Sequence, residues 1–163
     1  MERTVDSNYP TMPIVDHGPL PVLSEHEKKF IRATWPKIYI NFEDIGLMVF
    51  LQFLKDFPDA QQLFPKFSEV KTEDLPHNPE VKWQASRIIN AINDVIGLMD
   101  KESEMIQYLK ELSREHSAQF QVDPSLFKEM LKIFAEQVFG HDGNEAYEKL
   151  FSIISILLSS SYK

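Results

Sequence analysis

This sequence predicts an all-α chain, on three observations. Apolar residues recur at spacings of three and four along six long stretches. No stretch alternates with the period of two that a half-buried strand requires. Asn78-Pro79 and Asp123-Pro124 each place a capping side chain directly before a first-turn proline, a helix-start signal.

Each element can be justified in order. Residues 1–22 hold Pro10, Pro13, Pro19 and Pro21 and few large apolar groups. They are expected to form an extended or disordered arm, with the folded domain spanning 23–163. Ser24 with Glu27 three residues on is a capping box. It opens a helix carrying Phe30, Ile31, Trp35 and Ile38 on one face, which Pro36 is expected to bend or shorten. A second helix over about 41–56 carries Phe42, Ile45, Met48, Val49, Phe53 and Leu54 and ends near Asp56. In "FPDAQQLFPKF", Pro58 and Pro65 bracket one short helical piece. Residues 68–77 read as a loop.

A long helix then runs from the Asn78 cap to about Met99, and another amphipathic helix covers 103–119. The Asp123 cap opens a helix over 124–139, which Gly140 and Gly143 break. The last helix, about 144–161, stacks Tyr147, Leu150, Phe151, Ile154 and Leu158 on one side.

The totals bound the function. A chain of 163 residues suffices for one domain with a full core. Twelve Phe is high for that length and points to a core with large flat surfaces to fill. The net charge of −8 without a basic run argues against nucleic acid and anionic membrane as partners. The absence of Cys excludes disulfides, thiolate catalysis and cysteine metal sites. The N-terminus has no apolar signal region. The apolar stretch from Ile153 to Leu158 is far short of the ~20 residues that span a membrane. The expectation is a soluble, intracellular protein.

Two polar residues stand on apolar faces. Val81, Ala85, Ile88 and Ile92 share a helix face with Gln84, whose buried amide must find a partner or destabilise the fold. Leu109, Leu112, His116 and Phe120 share another. His17, His26, His77 and His141 lie in the arm, a first turn, a loop and a glycine-flanked break, and read as exposed. His116 is either a core histidine bonded to a backbone carbonyl or an imidazole ligand to a buried metal or cofactor. Positions 112, 113, 119 and 120 are Leu, Ser, Gln and Phe, which excludes a local zinc pair on this helix. A single axial His is what haem needs, because the porphyrin supplies four nitrogens. Trp35 and Trp83 read as packing residues. No Ser-His-Asp motif or phosphate loop appears.

At these residues the chain resembles the globin family, and most of all the haemoglobins of jawless vertebrates, the hagfishes and lampreys. The resemblance covers about residues 13–162. "LSEHEKKFIRATWPKIY" looks like the first globin helix, with its tryptophan at Trp35. "FPDAQQLFPKF" resembles the corner that carries the globin proline, Pro58, and the haem-stacking phenylalanine, Phe64. "VKWQASRIINAINDVIGLMDKE" and "LKELSREHSAQFQVDP" look like the distal and proximal haem helices, and "EKLFSIISILLSSSY" like the end of the final helix.

The resemblance implies a globin fold, with packed helix pairs crossing at about 50° around the haem. The six long helices then correspond to the family's first, second, fifth, sixth, seventh and eighth. It implies haem b (iron protoporphyrin IX), with His116 as the proximal iron ligand through Nε2. The Nδ1–H of His116 then needs an acceptor, expected one turn back near Leu112. Phe64 and Phe67 match haem-wall positions, and Leu112, Phe120 and Val122 proximal contacts. Phe50 and Ile88 match positions facing the gaseous ligand. Lys66 and Arg87 sit where cations reach haem propionates. Gln84 falls on the distal position, where most haemoglobins carry His.

The implied function is reversible dioxygen binding and transport, by a carrier that is not an enzyme. The alternatives are a haem enzyme acting on nitric oxide or nitrite, or a tissue oxygen-storage or sensing globin. Carbon monoxide and nitric oxide are further ligands. By the same likeness the chain is expected in red-cell cytoplasm, self-associating to dimers or higher forms or pairing with related globin chains.

Overall fold

The structure is a computed structural model that describes residues 19–116, 123–140 and 144–160. Among them are six α-helices: α1 (Glu25–Tyr39), α2 (Phe42–Asp56), α3 (Pro79–Gly97), α4 (Glu102–Glu115), α5 (Ser125–Phe139) and α6 (Glu145–Leu158). Two 3-10 helices, Pro58–Leu63 and Thr72–His77, connect α2 to α3. No strand occurs among the described residues.

Side chains at the starts of two helices act as the sequence indicates, whereas at the third predicted start Asp123 only turns the chain, its Oδ1 accepting from Ser125 N at 3.0 Å, and α5 begins at Ser125 without a side-chain cap. Ser24 Oγ accepts from Glu27 N at 3.0 Å, and Glu27 Oε1 accepts from Ser24 N at 2.9 Å, completing the box that opens α1. Asn78 Oδ1 accepts from Glu80 N and Val81 N at 2.9 and 3.2 Å, with Pro79 in the first turn of α3. Asn144 Oδ1 caps α6 in the same way. Gly140 ends α5 at a φ of +80°, a conformation that favours glycine.

Pro36 lies inside α1, which ends three residues further on at Tyr39. The missing N–H falls in the last turn, where Ile40 N still reaches Pro36 O at 3.1 Å. Residues 72–77 are not loop but a 3-10 helix, which buries Leu75. Phe30 is not a core residue: it is 39% exposed and meets Tyr147 edge-on at 6.2 Å. Residues 1–18, and with them most of the expected arm, lie outside the described residues. Leu20 already packs against the core and Leu23 is part of it.

The core lies between helices that pack on one another from several sides. α2 packs on α3 and α5, and α6 packs on α1, α4 and α5. Trp35 anchors α1: its ring stacks near Phe134 at 6.2 Å and its indole N–H donates to Asn93 Oδ1 at 2.9 Å. Buried Tyr147 brings its hydroxyl within 2.7 Å of Thr34 Oγ1, joining α6 to α1. Burial pushes the Tyr147 phenol up from its ordinary range, so it stays a neutral hydrogen-bonding group.

The α2–α3 crossing is tight because of Gly46. A Cβ there would lie 2.9 Å from Ala85 O and 3.4 Å from Ile89 Cγ2. Two helix backbones can approach this closely only where one side lacks a side chain. That approach sets the position of Phe50, one turn further along α2.

Candidate functional site

Side chains of α2, α3, α4, α5, α6 and the segment between α2 and α3 enclose a cavity of about 590 Å³, within the range of small-molecule and cofactor sites. Its walls are mainly aromatic and aliphatic.

One end is a phenylalanine corner. Phe64 and Phe67 stack at 5.0 Å with 14° between planes. Phe50 stands edge-on to both, at 5.5 and 6.0 Å. The corner is held from behind by Gln61, whose amide donates to Phe67 O at 2.8 Å and Val70 O at 2.9 Å. Sequence reading missed Gln61. A glutamine in a short helical piece carries no signal, and its role exists only once the chain turns back.

The α3 wall carries Gln84 and Ile88, one turn apart. The sequence put Ile88 on the core stripe, and here the structure corrects the register. The buried residues are Val81, Ala85, Ile89 and Ile92, whereas Ile88 is half-buried and faces the cavity. Two apolar stripes run side by side on α3, one into the core and one along the cavity. Gln84 belongs to the second. It is half-buried, and its amide has no hydrogen-bond partner among the described residues.

From α4, Leu112 and His116 line the cavity. His116 Nδ1 lies 2.8 Å from Leu112 O, so the acceptor expected one turn back is present. A carbonyl only accepts, so Nδ1 carries the proton and the lone pair is on Nε2. The Phe127 ring of α5 meets the imidazole edge-on at 5.4 Å. Phe120 and Val122, the other expected proximal contacts, lie outside the described residues, as do His17 and His141. His26 and His77 are exposed.

Charge gathers at the rim. Trp83 is 52% exposed there, a correction to its reading as a packing residue. Its position just before Gln84 turns it outward, and its ring carries the Arg87 guanidinium at 4.8 Å and Lys66 Nζ at 5.8 Å. Lys66 Nζ is also 3.7 Å from Glu80 Oε1. Glu115 is exposed at the cavity edge. Tyr108 donates to Asp94 Oδ2 at 2.9 Å, bridging α4 and α3 beside the opening. Burial first, then the Asp94 hydrogen bond, pushes its phenol far up, which keeps it a donor.

These residues fit a haem. A lone imidazole with its tautomer fixed suits an axial position. The described residues contain no cluster of three His, Cys, Asp or Glu that could hold a bare metal ion. The slot is aromatic, and two cations stand at its rim. Gln84 presents an amide with no protein acceptor or donor among the described residues. No helix among the described residues is long and apolar enough to cross a membrane.

Comparison with known proteins agrees. The globin family model matches residues 47–156. The chain is 43% identical to Globin-1 of Mordacia mordax and 41% to Globin-1 of Petromyzon marinus, each over 93% of this chain and 100% of the relative. Cytoglobin-1 of Oryzias latipes is 25% identical, covering 86% of this chain and 84% of its own. Among solved structures, the hemoglobin of the botfly Gasterophilus intestinalis superposes with a TM-score of 0.73 at 23% identity, covering 86% of this chain and all of that one. Among the described residues, His116 is the histidine that lines the slot these helices surround. The chain belongs to the globin family, and its likeness to the lamprey globins bears out the jawless-vertebrate resemblance.

Proposed function

We propose that this globin binds dioxygen reversibly at a haem b held by His116, with Gln84 as the distal hydrogen-bond donor, and that it works as a carrier rather than as an enzyme. One observation carries the reading: an imidazole with Nδ1 committed to Leu112 O and an amide without a partner among the described residues line the same aromatic cavity.

When bound, haem supplies the ferrous iron at which dioxygen, carbon monoxide or nitric oxide binds. The chain's residues do the rest. Leu112 O holds the His116 tautomer that offers Nε2 to the iron and increases the basicity of the ring. Phe64 and Phe67 pack against the porphyrin, and Phe50 closes the side of the slot. Lys66 and Arg87, held on Trp83, face the propionates. Ile88 would restrict the space left for a gaseous ligand, and the Gln84 amide N–H would be placed to donate to dioxygen, a better acceptor than carbon monoxide once it carries partial negative charge. Carbon monoxide is less polar and gains less.

An amide is a far poorer iron ligand than the imidazole usual at this place, so Gln84 would leave the free coordination position of a ferrous haem to the gas.

The test is a set of absorption spectra in the ferric, ferrous, oxygenated and carbonmonoxy states. A strong haem band, a five-coordinate ferrous spectrum and recovery after gas removal are expected. A six-coordinate low-spin ferrous spectrum without gas overturns the distal assignment. Failure to take up haem overturns the whole reading. Rapid turnover of nitrite or nitric oxide with a reductant favours a haem enzyme instead.

A further inference from the structure

Met105, Leu109 and Ser113 form the buried stripe of α4, at intervals of four. The stripe ends on a hydroxyl. Ser113 is 0% exposed, and a polar group removed from water destabilises a fold unless it is hydrogen-bonded. An alanine would fit the same place without that requirement. The Ser113 hydroxyl donates to the main-chain carbonyl of Leu158, the last residue of α6.

Carbonyls in the last turn of a helix have no partner within it. Those of Ser155 and Leu157 take donors from Ser159 and Ser160, just beyond the end of α6. That of Leu158 takes its donor from a different helix. The bond falls at a sensitive place. Ser113 is three residues before His116, on the adjoining turn. It directly follows Leu112, whose carbonyl orients the imidazole. The Leu158 side chain lines the same cavity.

We propose that Ser113 is a positioning residue for the proximal imidazole. Through Leu158 it fixes the rotation and height of the last turn of α4, and so the direction of His116 Nε2. The division of labour is geometric. Leu112 O sets the ring relative to its helix, and Ser113 sets the helix relative to the cavity. This inference rests on His116 being the iron ligand.

The test is the iron–histidine stretching band in the resonance Raman spectrum of the haem-loaded, ferrous, gas-free protein. Ser113→Ala is compared with Ser160→Ala. Ser160 is also buried, but its hydroxyl donates to Leu157 O and leaves α4 untouched. The band is expected to shift and broaden in S113A and to stay put in S160A. Haem loss to a scavenger should accelerate about fivefold in S113A, the equivalent of ~1 kcal/mol. Ser113→Cys keeps a weaker donor of similar size. It should show the same change to a smaller degree, and it carries the comparison if the alanine variant does not fold. A lowered melting temperature with an unmoved band overturns the proposal and leaves Ser113 a stabilising residue alone. A missing iron–histidine band in the unsubstituted protein refutes the His116 assignment, and the role of Ser113 with it. The two failures are thereby distinct.

Discussion

Replacing Gln84 by Leu separates ligand binding from stability in a way few pocket substitutions do. In most buried sites, removing an amide orphans its protein partner, and the loss of a hydrogen bond is felt in folding. Gln84 has no such partner among the described residues, so Gln84→Leu breaks nothing in the gas-free fold. The side chain is half-buried beside Ile88, so leucine adds apolar contact at about 25 cal/mol per Å². The melting temperature should therefore hold or rise slightly. Dioxygen behaves differently. A hydrogen bond to a partly charged acceptor is worth roughly 1–2 kcal/mol, which corresponds to about a tenfold change in affinity. That loss should fall mainly on dissociation, because the bond forms after the ligand arrives. Stopped-flow measurement of dioxygen and carbon monoxide dissociation from wild type and Q84L, with a thermal melt of each, checks all three parts. A dioxygen off-rate unchanged in Q84L, or raised no more than that of carbon monoxide, would refute the donor role. A large fall in melting temperature would show that the amide has a structural partner after all.

Further expectations follow from packing and charge. Gly46→Ala pushes a Cβ to 2.9 Å from Ala85 O, and overpacking of this kind costs about 1–3 kcal/mol; urea unfolding followed by circular dichroism measures it, and an unaltered midpoint would show that the α2–α3 crossing relaxes freely. Ser24→Ala removes the cap of α1 and should lower stability by about 1 kcal/mol in the same assay. Glu27 is held below its ordinary range, first by the Ser24 backbone N–H and then by Lys149. Its folded form thus binds protons less readily than the unfolded chain. The stabilisation is full above the ordinary carboxylate range and disappears as pH falls through the lowered folded value. Glu27→Gln should flatten that part of the stability–pH curve, and an identical slope in both proteins would count against it. Trp83→Leu should change stability by no more than about 0.5 kcal/mol, since the ring is mostly solvated, and a larger loss in thermal melts would restore Trp83 to the core.

Much of the fold is legible in the chain because its signals are local. Ser24 with Glu27, Asn78 with Pro79, and Gly140 act within one turn of themselves, so their sequence context is their structural context. His116 and Leu112 are one turn apart on one helix, and their hydrogen bond could be expected for that reason. Helix periodicity was less informative where two apolar stripes adjoin. A 100° step cannot tell Ile88 from Ile89 when both flank the same face, and only the approach of α2 through Gly46 decides that Ile89 is core and Ile88 is cavity wall. The outward turn of Trp83 has the same origin. An aromatic residue next to the stripe packs or not according to what lies opposite, and what reaches it from outside α3 is Lys66, beside Arg87 one turn along its own helix.

The sequence by itself determined the six helices, most of their ends, and the two polar residues that break the apolar faces. Those are short-range consequences of spacing, capping and backbone geometry. Its likeness to the globins supplied what the positions would mean. Only the tertiary structure decided which polar groups are satisfied and by whom. Gln61 holds the phenylalanine corner, Tyr108 bridges α4 to α3, Ser113 reaches Leu158, and Gln84 is left without a partner among the described residues. The physical reason is that a hydrogen bond extends about 3 Å, whereas Ser113 and Leu158 are separated by 45 residues of chain. Whether two such groups meet depends on how the helices pack, and no spacing along the chain encodes it.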